Sequence, residues 1–323
     1  MERSIKSRKI NLDLPSDKRW IDILTEFKPE LLVAKDRMKL IIDKMLGSSY
    51  YLIVPMIKSF KLFKSIMFLD ELQSIANVME MSFEYVLMLQ LCYEISSCCT
   101  SAITKIGDDY VFFRTMDWPM DFLKDLTINL DFVKDGKTIF TATTWVGYVG
   151  LLTTTVPQKY SIAVNYRRTQ DVSLSSISKN IISIMNMNWP IGYLIRDICE
   201  KNLSYKNMLH CICKAKLVSP CYVTICGTIE RPKIITRDPD GYKIYKHNYV
   251  VQTNCDQNKV TPDILYSVCR REKIIKSIED NKNNFKNVDT IIKEFYIDPI
   301  KNDETIYYTI MVPKLGMHNA FLS

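Results

Sequence analysis

The pattern of apolar and polar positions divides the chain into a helical first part and a longer part rich in strands. Between residues 17 and 45 apolar side chains recur every three or four positions, as at Ile23 and Phe27, which predicts amphipathic helix. Residues 69–97 show the same spacing and predict one or two further helices. The pattern therefore predicts a helical N-terminal part.

The pattern changes at residue 99. From there apolar and polar residues alternate, and β-branched and aromatic residues become common, which predicts strands. The predicted strands are CTSAIT (99–104), YVFFRT (110–115), TIFTATTW (138–145), YSIAVN (160–165), CYVTICG (221–227), NYVVQTN (248–254) and TIYYTIMV (305–312). The turn KIGDD between the first two predicts a hairpin. Helical spacing recurs at about 173–188, 190–201, 205–215, 262–281 and 287–295. Such blocks predict an α+β fold of layers stacked around antiparallel sheet.

Composition narrows the class of protein. The 323 residues are 47% hydrophobic and 24% charged, enough for a full core in one large or two modest domains. The net charge of +7 favours an anionic surface or ligand but does not indicate nucleic acid, since no zinc-finger or RNA-binding pattern accompanies it. No apolar run has the length of a membrane span or of a signal peptide, so a non-secreted soluble protein is expected.

Ten cysteines do not follow the spacing of a disulfide set. None precedes Cys92, and four fall between Cys211 and Cys226. The Cys211-x-Cys213 spacing is too short for a usual metal knuckle, and the chain has only three histidines. We expect buried free thiols in a reducing compartment, with no metal.

The adjacent pair Cys98 and Cys99 raises the question of a nucleophile. A thiol needs help to ionise near neutral pH, and the three histidines lie in no motif-like setting. A free α-amine can serve as the base instead, which for a mid-chain cysteine requires cutting the peptide bond before it. The change from helix to strand at residue 99 is where such a cut would fall. From the residues alone, an inert buried cysteine stays the alternative.

The segment Cys99-Thr100-Ser101, followed by Arg114-x-x-Asp117, resembles the N-terminal-nucleophile cysteine hydrolases of the acid ceramidase and N-acylethanolamine-hydrolysing acid amidase family. Bile salt hydrolases are its more distant relatives. Further segments resemble the family in the same order: INLDLPSDKRW (10–20), GYVGLLTTTVPQKYSIAVNYR (147–167), WPIGYLIRDICEKNLSY (189–205), SPCYVTICG (219–227), VVQTNCD (250–256), Arg270-Arg271 and the final TIYYTIMV. The resemblance covers nearly the whole chain and is slightly closer to the ceramidase branch.

This resemblance implies a four-layer αββα fold with stacked antiparallel sheets and an added helical N-terminal region. It also implies a precursor that cuts itself before Cys99. The products would be a helical α-chain, residues 1–98, which is retained, and a catalytic β-chain, residues 99–323. Cleavage before Cys98 is the alternative. No cofactor is implied.

The resemblance also assigns roles. Cys99 is the nucleophile, Asp117 holds its α-amine, and Arg114 favours the ionised thiol. The side-chain amide of Asn254 donates to the oxyanion, and Asn165 lies near the reacting carbonyl. Arg270 supports catalysis or self-cleavage, with Arg271 as the alternative assignment. Each role has a purely structural alternative. Arg114 and Asp117 could form a salt bridge at the end of a strand, and Asn254 and Asn165 could occupy a turn and a strand end. Arg270 could lie on the surface of a helix.

Three departures from the family stand out. Tyr166 occupies the place of the family's glutamate in its Asn-Glu-Arg motif, which puts efficient self-cleavage in doubt. Cys255 stands where the family has tyrosine, which we interpret as a change in packing. The signal peptide and the paired cysteines of lysosomal members are missing. The resemblance implies a lysosomal location. The missing signal peptide and cysteine pairs favour a cytoplasmic or membrane-peripheral location instead.

Relatives hydrolyse lipid N-acyl amines, which must be drawn from a bilayer. Residues 49–68 predict a basic amphipathic helix that can rest at a membrane surface or pack on the β-chain. Its candidate membrane contacts are Lys58, Phe60, Lys61, Phe63 and Lys64. Three hypotheses follow: a ceramide hydrolase, a hydrolase of N-acylethanolamines or other fatty acyl amides, and an unprocessed lipid-binding homologue.

Overall fold

A computed structural model of the chain describes residues 5–47, 50–62, 66–92, 97–167, 183, 188–257 and 266–323. The N-terminal part contains one strand, β1, and the predicted helices. Their bounds are β1 (Ser7–Asn11), α1 (Ile21–Glu26), α2 (Lys28–Leu46), α3 (Tyr50–Leu62), α4 (Leu69–Met79) and α5 (Phe83–Gln90). The helices lie where the sequence predicts them, and β1, which the pattern does not predict, adds a strand in parallel to the larger sheet.

The remaining strands form two sheets. Their bounds are β2 (Cys98–Ile106), β3 (Asp109–Asp117), β4 (Thr127–Lys134), β5 (Lys137–Trp145), β6 (Thr153–Val156), β7 (Tyr160–Tyr166), β8 (Cys221–Gly227), β9 (Lys233–Arg237), β10 (Tyr242–Lys246), β11 (Val250–Gln252), β12 (Thr305–Val312) and β13 (Met317–Leu322). Among the described residues, the larger sheet has the order β1-β4-β5-β6-β7-β8-β9-β10 and the smaller one β11-β2-β3-β12-β13. Neighbouring strands are antiparallel except β1 and β4.

Helices complete the layers. The C-terminal part contains α6 (Leu123–Leu126), α7 (Ile191–Glu200), α8 (Tyr205–Lys214), α9 (Ser267–Asp280) and α10 (Val288–Phe295). The helix predicted at 173–188 falls almost wholly outside the described residues. No helix within the described ranges has both the length and the apolar character needed to cross a bilayer.

Alternation along β2 explains the stacking of the sheets, because successive side chains of a strand point to opposite faces. Ile103 belongs to the cluster between the sheets with Tyr222 of β8. Ala102, its neighbour, belongs to the cluster with Ile274 of α9 and Phe295 of α10. The order of layers is therefore helices, smaller sheet, larger sheet and helices, and the predicted αββα architecture is confirmed.

A tight hairpin joins β2 to β3, as the KIGDD turn predicts. Ile106 pairs with Asp109, so the loop contains two residues, and the first of them, Gly107, has φ of +58°. Glycine adopts this left-handed conformation without the strain that a side chain adds. The hairpin fixes the strand register, which sets Cys98 opposite Asp117 and Cys99 opposite Met116.

A buried charge cluster attaches the N-terminal helices to the rest of the fold. The carboxylate of Glu71, on α4, is fully buried and accepts hydrogen bonds from Trp20 Nε1 at 2.6 Å and Arg196 Nη2 at 2.7 Å. The Arg196 guanidinium, from α7, lies 4.6 Å from the ring centroid of Phe68 and 5.4 Å from that of Phe132. This cluster therefore connects residues on both sides of position 99.

We predict that Glu71→Ala destabilises the protein by about 3–5 kcal/mol, because it removes the fully buried carboxylate that pairs with Arg196 and leaves this buried guanidinium with only the partly exposed Glu200. Chemical denaturation of the uncut chain measures the loss. Glu80→Ala is the matched control, since Glu80 forms an exposed pair with Lys28 and such pairs contribute about 0–1 kcal/mol. Equal denaturation midpoints for the two variants would contradict the prediction.

Candidate active site

The sulfur of Cys99 lies between the two sheets, beside a guanidinium. Cys99 is the second residue of β2 and is fully buried. Its Sγ lies 3.4 Å from Arg114 Nη2 and 3.7 Å from Met116 Sδ. Arg114 and Met116 are two residues apart on β3, so their side chains share the face towards the larger sheet. A guanidinium at this distance is placed to stabilise negative charge on sulfur.

Asn165 approaches the same residue from the larger sheet, near the end of β7. Its Nδ2 donates to the carbonyl oxygen of Cys99 at 3.1 Å. Its Oδ1 accepts from Ser101 Oγ at 2.7 Å and from Arg114 Nη1 at 3.2 Å. Ser101 was not a sequence candidate, although its position two residues after Cys99 places it on the same face. These bonds fix which way the Asn165 amide points.

Asp117 and Arg270 lie on the opposite face of the hairpin. Arg270 Nη1 is 3.3 Å from Asp117 Oδ2 and donates to Thr100 Oγ1 at 2.8 Å. Arg270 is fully buried on α9, whereas Arg271 Nη1 donates to the Asp256 carbonyl oxygen at 3.0 Å. Between the two adjacent arginines, the structure therefore places Arg270 at the candidate site.

The carboxyl group of Asp117 has a raised pKa. Burial raises its pKa from 3.8 to about 6, and the positive charge of Arg270 opposes this rise. One oxygen, Oδ2, faces Arg270, while Oδ1 is buried without a hydrogen-bond partner in the described part of the chain.

Asn254 contacts the peptide bond at which the sequence predicts cleavage. Its Oδ1 accepts from the backbone N–H of Cys99 at 2.8 Å and from Arg270 Nη2 at 3.2 Å. Its Nδ2 donates to the carbonyl oxygens of Tyr166 at 2.8 Å and of Ser97 at 3.3 Å. The Asn254 amide, which we predict to donate to the oxyanion during catalysis, thus donates to two backbone carbonyls in the uncut chain.

All six predicted catalytic residues meet at the start of β2. The side chains of Cys99, Arg114 and Asn165 occupy the face between the sheets, and those of Asp117 and Arg270 occupy the other face. Cys98 points to the face of Asp117, and burial raises the pKa of its thiol. Cys255, the departure that we interpret as packing, is buried with Sγ 3.4 Å from Thr253 Oγ1.

The region predicted to touch a membrane is described only in part. Lys58 lies on α3 with an exposed side chain. Phe60 and Lys61 also belong to α3, but their side chains fall outside what the structure describes. Phe63 and Lys64 lie outside the described residues.

An apolar cleft opens beside the site. Trp118, directly after Asp117, forms part of its wall, and its ring centroid is 5.5 Å from that of Trp145. Trp145 in turn lies 6.4 Å from Tyr307, which pairs with Met116 in the smaller sheet. The N-terminal helices supply the facing wall through Met38, Ile41, Met79, Val86, Leu89 and Gln90.

Known proteins resemble this chain over nearly its full length. Acid ceramidase of Bos taurus is 30% identical over an alignment of 338 positions, gaps included, which covers 97% of this chain and 85% of that protein. The chain belongs to the acid ceramidase family of amide-bond hydrolases. N-acylethanolamine-hydrolysing acid amidase of Mus musculus is 29% identical over 319 residues, or 94% of this chain and 84% of that protein. No family model matches the sequence.

Two further similarities complete the comparison with the acid ceramidase family. An uncharacterised protein of Acanthamoeba polyphaga mimivirus is 33% identical over 305 residues, covering 92% of this chain and 93% of that protein. The solved structure of the Caenorhabditis elegans N-acylethanolamine-hydrolysing acid amidase ortholog has a TM-score of 0.61 and 22% identity, over 70% of this chain and 100% of that one. This likeness confirms the predicted N-terminal-nucleophile hydrolase fold.

We predict a pH-dependent contribution of Asp117 to stability, measured in a Cys99→Ala background that keeps the chain uncut. Because the folded state raises the pKa of this carboxyl from 3.8 to about 6, its contribution is complete below 3.8 and is lost as pH rises through about 6. The melting temperature of the Asp117 protein, relative to Asp117→Asn, should therefore fall between pH 4 and about pH 7. A difference that stays constant or grows over this range would contradict the assignment.

Proposed function

We propose that the protein is a lipid amidase whose nucleophile is Cys99, exposed as a new N-terminal residue by self-cleavage. One observation carries the proposal: sulfur, carbonyl oxygen and backbone nitrogen of the same residue each have a separate polar partner. These partners are Arg114, Asn165 and Asn254. A buried cysteine that serves only for packing needs no such set.

Maturation uses the bond between Cys98 and Cys99. The Cys99 thiol attacks the Cys98 carbonyl carbon, the C–N bond breaks, and the thiol proton ends on the freed amine. Water then hydrolyses the thioester, which leaves a carboxyl group on Cys98 and restores the thiol. Asn254 already contacts the nitrogen that becomes the amine, and Asp117 Oδ1 is a buried acceptor without a partner in the described residues.

The α-chain of residues 1–98 stays bound after this cut. Strand β1 is hydrogen-bonded to β4 of the β-chain, and Glu71 pairs with Arg196 across the same boundary. Neither contact depends on the peptide bond before Cys99. The mature enzyme is therefore an α/β heterodimer from one precursor.

In the mature enzyme the α-amine of Cys99 accepts the proton of its own thiol, and the thiolate attacks the substrate's amide carbon. Asn254 and Asn165 stabilise the oxyanion that forms, as amide donors do in acyl transfer. The C–N bond breaks, and the departing amine takes the proton from the α-ammonium group. Water hydrolyses the acyl-thioester, which releases a fatty acid.

The cleft accounts for a lipid substrate. Its walls are largely apolar, and it lies between the N-terminal helices and the segments that follow β3 and β5. An acyl chain buried there gains roughly 0.8 kcal/mol for each methylene removed from water. Ceramide is the proposed substrate, and an N-acylethanolamine or another fatty acyl amide is the second candidate.

Access to such a substrate requires contact with a bilayer. Exposed apolar side chains accompany Lys58 on the N-terminal helices: Val33 and Leu40 on α2 and Tyr51 on α3. Apolar side chains next to lysines suit a surface of anionic lipid. We therefore assign peripheral membrane contact to these helices.

A lipid-binding protein that is never cut is the candidate of another class. The observation that favours it is Tyr166 in the place of the family's glutamate. Such a protein would use the cleft but would not release a fatty acid.

We predict that the purified protein converts to two chains and that Cys99→Ala stays a single chain without amidase activity. Cys98→Ala is the matched control and should still be cut, because Arg114 and Asn165 contact Cys99. Denaturing gels and mass spectrometry of the new N-terminus measure this. A new chain that begins at Cys98, or turnover by Cys99→Ala, would sink the proposal; a permanently uncut, inactive wild type would favour the lipid-binding protein.

We predict that Met120→Trp lowers kcat/KM about tenfold for palmitoyl amides and little for butyryl amides, because the larger ring shortens the cleft by several methylenes. Release of fatty acid from ceramide and from N-palmitoylethanolamine by wild type ranks the two substrates. Equal losses for long and short acyl chains would contradict the placement of the acyl group.

A further inference from the structure

Two segments from different sheets are joined beside Cys99 by several side-chain contacts. One segment is residues 165–167, where β7 ends, and the other is residues 252–256, where β11 ends. The Asn165 Nδ2 donates to the Gln252 carbonyl oxygen at 3.1 Å, and the Asn254 Nδ2 donates to the Tyr166 carbonyl oxygen at 2.8 Å. A further contact is an ion pair between the outer ends of the segments.

This ion pair joins Arg167 and Asp256 through two hydrogen bonds. Arg167 Nε donates to Asp256 Oδ1 at 2.8 Å, and Arg167 Nη2 donates to Asp256 Oδ2 at 3.0 Å. Paired bonds of this kind fix the relative orientation of both groups, which a single point charge does not. Each member lies two residues from an asparagine that contacts Cys99.

Neighbouring groups hold each partner of the pair in place. Tyr222 OH donates to Asp256 Oδ1 at 2.6 Å, and Arg271 Nη1 donates to the Asp256 carbonyl oxygen at 3.0 Å. Arg167 Nη1 also pairs with Asp238 at 2.7 Å. The bond from Asp256 raises the pKa of Arg167, and burial raises the pKa of Tyr222, so the first stays charged and the second stays a neutral donor.

The turn that carries Asn254 needs such support. The strand before it, β11, pairs with β2 over only three residues, Val250 to Gln252, so the sheet ends before Asn254. The direction of the Asn254 amide then depends on contacts made by the turn itself. The hydrogen bonds from Arg167 to Asp256 tie the outer end of this turn to the end of β7, beside the bond from Asn254 to Tyr166.

We propose that the Arg167–Asp256 ion pair positions the side-chain amides of Asn254 and Asn165 for the reaction at Cys99. Arg167 and Asp256 act on Cys99 through Asn165 and Asn254, so both are positioning residues. The inference rests on the proposed amidase function. The side chains of the pair are only 13% and 23% exposed, so breaking it also costs stability, and kcat per active site separates its catalytic effect from folding.

The test compares Arg167→Lys and Asp256→Asn with wild type in the full-length, self-processed enzyme, using an N-palmitoyl amide of a fluorogenic amine. Lysine keeps the charge but loses the paired bonds, and asparagine keeps the shape but loses the charge. We expect kcat to fall about 10-fold to 100-fold, since misdirected amide donors stabilise the transition state less. KM should change by less than about threefold and self-cleavage should slow, with kcat counted per active site so that any loss of stability does not enter it.

Arg8→Lys is the matched control. Arg8 forms a similar two-bond pair with Glu26, on β1 and α1, away from the site. Its kcat should equal that of wild type. Combining Arg167→Lys with Asp256→Asn should cost little more than either change alone, because both break the same contact.

Four outcomes decide the inference. Wild-type kcat in both variants overturns it. A lower melting temperature with full kcat per active site, counted by thiol titration, also overturns it and leaves a structural pair. If both variants fail to fold, Tyr222→Phe, which removes one bond to Asp256, decides by the same kcat measurement. If wild type shows no turnover that depends on Cys99, the proposed function itself fails. Measuring wild type first therefore distinguishes this failure from a failure of the inference on Arg167 and Asp256.

Discussion

The hydrogen bond from the backbone N–H of Cys99 to the side-chain oxygen of Asn254 is the interaction on which the site depends. It joins the second residue of β2 to the turn after β11, at the peptide bond where the sequence predicts cleavage. The same asparagine oxygen accepts from Arg270, which in turn contacts Asp117. One amide group therefore connects the nitrogen of Cys99 to the charged pair on the outer face of the smaller sheet.

Strand geometry separates the two chemical requirements of an N-terminal nucleophile. Because side chains alternate, the sulfur of Cys99 faces Arg114 and Asn165 between the sheets. Asp117, on β3, and Arg270, on α9, lie on the other face of the smaller sheet. A cation near the sulfur and a carboxyl group near the backbone nitrogen would interfere in a single small pocket. Here Arg114 and Asp117 project from opposite faces of β3, and the charge of Arg114 has only a minor lowering effect on the pKa of Asp117.

Much of the fold could be predicted because its central strands are regular. The hairpin of β2 and β3 and the strands β8 and β12 follow from β-branched runs and from Gly107 at the turn. The strand β1 could not be predicted, since only Ile10 of its five residues is buried and the segment is too short for a clear pattern. Every residue of β10 is exposed, which leaves no alternation to detect.

The candidate site, like the fold, could be predicted from the sequence only in part. Its residue types came from motifs, but which of them meet depends on contacts between sheets that a linear pattern does not contain. Arg270 and Arg271 are adjacent in sequence, and only the orientation of α9 shows that the first faces Asp117. Arg167, Asp256 and Tyr222 come from three separate segments and carry no local signal of their shared role.

The parallel pairing of β1 with β4 has a consequence for solubility. In the complete protein, β1 covers the backbone of β4, which would otherwise form an edge of the larger sheet. Uncovered strand edges recruit strands of other molecules and promote aggregation. A catalytic chain produced alone, without residues 1–98, would expose this edge together with the apolar surface that the N-terminal helices cover. In the uncut chain the N-terminal part therefore shields this edge from pairing with strands of other molecules.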